Sequence, residues 1–455
     1  MLRLKQRQVS LWESALPQEI LALPEELAEV DRWLNDDRFL EPYRQRFATK
    51  VGRPTVPVET YIRLMYLKVR YQLGYETLVQ EVSDSISWRR FCFIPLDAKV
   101  PHPTTLVKLT LKYGTETLTE SNFVLIQKAR ERKLVRGRKL QLDTTVVTAD
   151  VHYPTDASLL ADANRVIERR VRKLKSAGGA IRTKFRNRNR SIKKKIFGIT
   201  RVLRKRTGQA RDEVRKITGQ IADTVYETVV QGHKVLTNVK HKIWRIQNDK
   251  SLRPLAVKLR EDLDLAERLI KQSEMATQKE YIPDRVISVF DREARPIPRG
   301  KHNTDTEFGY KVLLTESENK LITDYEVLKG NPSDDTLLKP AVTRHQQRFG
   351  KAPGAVATDR GFSSKSNEEF LLSIGVQRVS LPKKGKKTAD RTQHEQQPWF
   401  RRLQRWRAGG EATISLLKRK YGLGRSRFRG QSRVTCWVGL SIFTYNLTRV
   451  VRLSG

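Results

Sequence analysis

Cysteine is almost absent: 455 residues contain two, Cys92 and Cys436. They lie far apart, with no CxxC pair and no neighbouring histidine cluster, which excludes a disulfide framework and the usual zinc-binding patterns. Long apolar runs are missing as well. No stretch approaches the ~18 uncharged apolar residues of a spanning helix, and the N-terminus MLRLKQRQVSLWESALPQEI lacks the apolar core of a secretory signal. The chain therefore reads as cytoplasmic. Acidic residues are scarce beside basic ones, 50 Asp and Glu against 89 Lys and Arg.

That imbalance is the strongest bulk signal. A net charge of +39 far exceeds what solubility requires and calls for a polyanionic partner, nucleic acid first and an anionic membrane surface second. The length suggests two to four domains on a soft prior of ~150 residues each. No internal repeat is evident.

The apolar spacing is helical up to about residue 134, with turn signals at GRPTVP, IPLD and PHPTT. This predicts a helical N-terminal domain over 1–134, in which Thr104 and Thr105 could cap a basic helix of a helix-turn-helix unit. The pattern changes at RKLQLDTTVVTADVHYP, where β-branched residues predict a strand with Asp143 inside it. A helical insertion follows over 156–279. Its stretch 165–216 carries 21 Lys and Arg against 3 acidic residues, and solvated helix faces usually mix charges, so DNA-backbone contact is the favoured reading. Its candidates are Lys193, Lys194, Lys195, Arg204, Lys205 and Arg206. Beyond them Ile221, Val225, Val229, Gly232, Leu236, Val239 and Ile243 step by three or four, a seam predicting a helical hairpin.

Strand signals resume in RVISVF, FGYKVLLTES and KLITDYEVL. Helical runs then alternate with the short strands GAVATDRGF and QRVSLP, up to a last helix over 399–421. The order predicts an α/β fold, a mixed sheet covered by helices, with the core formed by 135–155 and 280–425 and a basic helical tail over 426–455.

Three carboxylates stand out in this frame. On the last helix, at ~100° per residue, Trp399, Leu403, Trp406, Gly410, Thr413, Ile414 and Leu417 form the packing face. Arg407, Glu411 and Lys418 share one narrow stripe at its border. The plain alternative for this stripe is a surface helix laced with Glu/Arg pairs, each contributing ~0.2–0.5 kcal/mol. Aspartate is a poor strand residue, yet Asp143 interrupts one apolar strand and Asp359 ends another just before Arg360 and Gly361. Capping or turn duty would account for Asp359, and a satisfied buried side chain for Asp143. Asp156 is a candidate helix cap or supporting acid, Asp334 and Asp335 most simply cap the following helix, and His152 reads as a structural turn residue. Oxygen donors converging from two strand ends and a helix suit hard cations, Mg²⁺ or Mn²⁺, in a two-ion site for phosphoryl transfer.

Asp143, Asp359 and Glu411 in these seats resemble the DDE triad of insertion-sequence transposases with a ribonuclease-H-like core. The helix is similar to that group's Tyr-x2-Arg-x3-Glu-x6-Lys signature: Arg407, Glu411 and Lys418 match its spacing, and Gln404 stands where the tyrosine would be. LDTTVVTADVHYPTDASLL, FGYKV, TDRGF and LKRKYGLGRSRFRG also resemble blocks of this family, most like its ISNCY-type members. GRPTVPVETYIRLMYLKVRYQLGYETL resembles its helical end-binding region. The resemblance implies a five-stranded mixed sheet and a metal-dependent enzyme. Such an enzyme binds terminal inverted repeats, cleaves the strands and joins them to target double-stranded DNA. It implies a homodimer or higher synaptic complex in a prokaryotic, nucleoid-associated setting, with Arg360, Arg407 and Lys418 meeting DNA phosphates. A structure-selective endonuclease and a non-catalytic DNA-binding derivative are the alternatives.

Overall fold

Strand β1 (Lys139–Ala149) is buried along most of its length, and the burial lapses at Asp143 and Thr144. Around it the computed structural model describes residues 1–5, 16–44, 52–204, 209–245, 251–301 and 304–454. Two compact units emerge: Met1–Asp150 with Ile297–Gly455, and Val151–Pro296.

In the first unit β2 (Arg295–Lys301), β3 (Thr304–Glu316), β4 (Ile322–Val327), β5 (Ala355–Thr358), β6 (Arg378–Ser380) and β7 (Arg425–Ser426) join β1 in one sheet. β4, β3 and β1 run antiparallel in that spatial order, and β5 and β6 continue parallel to β1. This is the ribonuclease-H-like arrangement of five strands. Two further strands extend it: β2 beside β3, and the two-residue β7 beside the far end of β1. Side chains alternate across a strand, so Leu140 and Leu142 face one layer. There they meet Leu338, Val342 and Leu371 of the helices Leu338–Phe349 and Lys365–Ser373. On the other face Ala355 and Ala357 meet Leu403, Trp399 and Trp406 of the helix Pro398–Lys420.

RVISVF does not form a strand. Val286 and Val289 are buried, but the backbone of Val286 is satisfied by a side chain: its N–H donates to Gln272 Oε1 at 2.8 Å and its oxygen accepts from Gln272 Nε2 at 3.1 Å. A glutamine on a neighbouring helix has taken the place of a strand partner, and apolar alternation cannot report that. The expected cap of the helix Pro103–Glu131 also moves. His102, not Thr104 or Thr105, is its N-cap, and its ring accepts from Thr104 N.

The N-terminal helices pack Trp33, Phe39, Tyr61, Leu64, Phe91 and Tyr113 into a core that also takes Leu440, Phe443 and Leu447 of the last helix, Gln431–Ser454. That helix, set apart from sequence as a basic tail, is therefore largely buried. Its Asn446 accepts from Ile322 N at 3.0 Å and donates to Ile322 O at 2.8 Å, satisfying the first residue of β4.

In the second unit, the seam of Ile221, Val225, Val229, Leu236 and Val239 lies on the helix Ala210–Arg245 and is buried. It is shared more widely than a hairpin. The helices Asp156–Ser176, Asn189–Arg204 and Leu252–Thr277 all pack on Ala210–Arg245. Asp156 is not the cap of its helix: Thr155 is, and Asp156 pairs with Arg285 at 2.9 Å. His152 is mostly exposed, 3.7 Å from Asp162. Among the described residues no helix is long and apolar enough to cross a membrane.

Candidate active site

The parallel register of β1 and β5 ends on the pair Leu142 and Thr358. Asp143 and Asp359 are the next residue on each strand, so the two carboxylates start level on neighbouring strands. Asp143 shares its strand face with Gln141, and that face lies under the helix Pro398–Lys420. The approach is very close, because a β-carbon on Gly410 would stand 2.2 Å from Gln141 Nε2. Bringing the helix down at Gly410 sets Arg407 and Glu411, on either side of it, over the sheet beside Asp143.

Arg407 links the acids. Its guanidinium lies 3.9 Å from Asp143 Oδ2 and 3.5 Å from Glu411 Oε1, and its Nε is buried without a hydrogen-bond partner. Asp143 accepts from Thr144 N at 2.8 Å. Burial pushes its carboxyl up to about 6. The charges of Asp359 and Glu411 push the same way, while Arg407 and the Thr144 N–H offset part of the shift. Asp359 caps the short turn Arg360–Phe362 by accepting from Gly361 N at 2.9 Å. Burial raises its pKa too; Gly361 N–H opposes the shift, and the charge of Asp334 adds to it. The turn reading of Asp359 is thus correct, and it is compatible with a site role: one oxygen caps the turn that aims the side chain.

Two further residues belong to this neighbourhood, and sequence reasoning gave one of them, Asp334, a different role. Asp334 does not cap a helix, since Ser333 holds that position. It pairs with Lys311 at 2.7 Å, and its Oδ2 would lie 2.8 Å from a β-carbon on Gly361, so it stands against the Asp359 turn. Its signal, an acid just before a helix, is the same as a cap's. Gln404 donates through Nε2 to Ser380 O and Ser380 Oγ, each at 2.9 Å, and to Thr358 O at 3.3 Å. The residue at the tyrosine position therefore ties together the ends of β5 and β6. Beside it opens a cleft of about 530 Å³ lined by Asp359, Arg360, Lys387, Arg401, Gln404 and Arg407.

Two carboxylates whose pKa values rise because each is poorly solvated, and also because each faces further acidic charge, suit a cation that would relieve both penalties. Asp143 and Asp359 fit such an ion by donor chemistry. Glu411 is held by Arg407 and its side chain is 70% exposed, so it is free to swing on its helix. As they stand, no three His, Cys, Asp or Glu side chains among the described residues converge tightly enough to form a metal cage.

Lys418 lies two turns beyond Glu411 and is half-buried, and Arg360 is exposed at the cleft. In the second unit Lys193, Lys194 and Arg204 line a groove of about 1340 Å³ together with Arg186, Arg190 and Arg201. Lys195 is turned to another use: its ammonium donates to Gln220 O and Thr224 Oγ1, each at 2.6 Å, fastening one helix to the next. Lys205 and Arg206 lie outside the described residues.

Comparison with known families adds two matches. Residues 16–110 match a transposase domain (DUF772), and residues 282–447 match a transposase DDE domain. The second span takes in Asp359 and Glu411 and leaves out Asp143, which the sheet register brings level with Asp359. No curated protein and no solved structure matches the chain.

Proposed function

We propose that this chain, which belongs to the DDE transposases of insertion sequences, cuts DNA at the terminal inverted repeats of its element and joins the freed 3′-hydroxyls to target DNA. The observation carrying this reading is the level placement of Asp143 and Asp359 on neighbouring strands, under a helix that brings Glu411 and Arg407 to them.

Asp143, Asp359 and Glu411 would hold divalent ions, Mg²⁺ or Mn²⁺, two in the full site. When bound, such ions polarise the attacking hydroxyl and neutralise charge on the phosphoryl group. The chain's own groups do the rest. Arg407 keeps a positive charge between Asp143 and Glu411, limiting their mutual repulsion, and lines the cleft where its charge would act on the scissile phosphate. Gln404 fixes the strand ends that carry Asp359. Arg360 and Lys418 receive flanking phosphates and hold the DNA in register. The helical N-terminal stretch would bind the element ends. The basic groove of the insertion, with Lys193, Lys194 and Arg204, would grip DNA backbone there or at a neighbouring protomer. Two ends need two active sites, so a homodimer or higher synaptic complex, at work on the nucleoid, follows.

A strand-transfer assay with a cognate end in Mg²⁺ tests this. Asp143→Asn, Asp359→Asn and Glu411→Gln should each cut product by roughly 10²-fold or more, while DNA binding stays close to that of the unaltered chain. Undiminished product in all three removes the proposed site. Cleavage without joined product would instead make the protein an endonuclease.

A further inference from the structure

Among the described residues, the buried lysines other than Lys68 are compensated. Lys128 donates to Trp33 O at 2.7 Å and pairs with Asp36, and Lys311 pairs with Asp334. Lys68 is only 5% exposed; its backbone oxygen accepts from Leu73 N at 2.8 Å, yet among the described residues its ammonium has cation–π contacts and no hydrogen-bond acceptor or carboxylate partner. Its ammonium lies 4.6 Å from the ring centre of Tyr75 and 4.8 Å from that of Trp437. Burial, aided by the charge of Arg427, pushes its pKa down to about 8. A buried cation without an acceptor is costly, and cation–π contacts recover only ~0.5–2 kcal/mol of that.

The ammonium borders a pocket of about 310 Å³, also lined by Tyr75, Arg425, Arg427, Phe428 and Trp437. Its walls are fixed in place. Trp437 Nε1 donates to Gly422 O at 2.7 Å, and Gly422, at φ +76°, leaves the indole room that a β-carbon 3.2 Å from the ring would narrow. Tyr75 shares a hydrogen bond with Thr110 at 3.2 Å, Phe428 stands edge-on to Trp437, and Arg425 pairs with Asp150. The floor comes from the helix Val58–Arg70, and the rim from the turn that follows the helix bearing Glu411.

We propose that this pocket binds one unpaired nucleotide, its phosphate on Lys68 and Arg427 and its base against the rings of Tyr75, Phe428 and Trp437. The volume matches the small end of ligand sites. Every base offers a face to an aromatic ring, and such stacking contributes ~1–3 kcal/mol without demanding sequence. An anion seated on Lys68 supplies the counter-charge the fold withholds. The proposal rests on the transposase reading only for its source of nucleotides, a DNA strand. No bond is made or broken at the pocket.

The test uses the full chain carrying Asp143→Asn, so that binding is read with the chemistry disabled and the two readings can fail separately. Fluorescence anisotropy compares a labelled duplex with a single-stranded thymidine extension against the blunt duplex of the same sequence. The extended duplex should bind about tenfold tighter, and Lys68→Met should erase that preference while blunt-duplex affinity holds. Arg427→Ala, at an exposed position, should reduce the preference with no question of folding. Thymidine monophosphate should compete away the added affinity of the extension, and inorganic phosphate should not. The proposal is overturned if both variants keep the preference, or if inorganic phosphate competes as well as the mononucleotide.

Discussion

Gly410 rests directly on Gln141, with no room between them for a methyl group. The helix carrying Glu411 is thus seated on the central strand by the smallest side chain available, and its height above Asp143 depends on that seat. Gly410→Ala must lift the helix or displace the glutamine, an overpacking cost of ~1–3 kcal/mol. The expected outcome is a lower melting temperature together with a drop in strand transfer larger than the drop in DNA affinity. A variant as active and as stable as the parent would show that the close approach does not set the site.

Glu316, opposite Gln141 in the register, is 6% exposed. Burial raises its carboxyl to about 7, and nearby Thr413, Lys320, Gln141 and Arg449 offset only part of that. The folded chain therefore holds a proton there that the unfolded chain releases near pH 4–5. By linkage this group costs nothing below that range, and its burial makes folding progressively less favourable as pH rises toward 7. Glu316→Gln should accordingly raise the melting temperature at pH 8 and leave it nearly unchanged at pH 4. Denaturation scans at the two pH values decide; equal shifts at both would show that the proton is not the cause.

The groove in the second unit separates two kinds of lysine. If Lys193, Lys194 and Arg204 meet phosphates, replacing all three by glutamine should flatten the salt dependence of DNA affinity by about 2–3 units of slope, near 0.9 per contact. Lys195 ties helices together instead. Lys195→Ala should lower thermal stability by ~1 kcal/mol or more, since two hydrogen bonds to an ionised group are lost, and leave the salt slope almost intact. A slope unchanged in the triple variant would remove DNA backbone as the groove's partner.

Much of the candidate site is legible in the sequence, for identifiable reasons. Helical periodicity placed Arg407, Glu411 and Lys418 on one stripe, because rotation per residue is a local property. Asp143 and Asp359 were conspicuous because aspartate is poorly suited to strand interiors and ends. Gln404 could be located by spacing but not understood. Its role depends on Ser380 and Thr358, brought to it by two separate strands. Asp334 carried the same local signal as a helix cap, and only the fold set it against Gly361.

The sequence by itself determined most of the element types, the charge that demands a polyanion and the identities of three candidate carboxylates, since periodicity, composition and residue chemistry are written along the chain. Tertiary structure alone decided which partners lie within reach. It paired Gly410 with Gln141, let Gln272 stand in for a strand beside Val286, and left Lys68 among rings instead of acids. The physical reason is range: propensity acts over a few neighbouring residues, whereas burial, Coulomb coupling and close approach act across space between residues the chain keeps far apart.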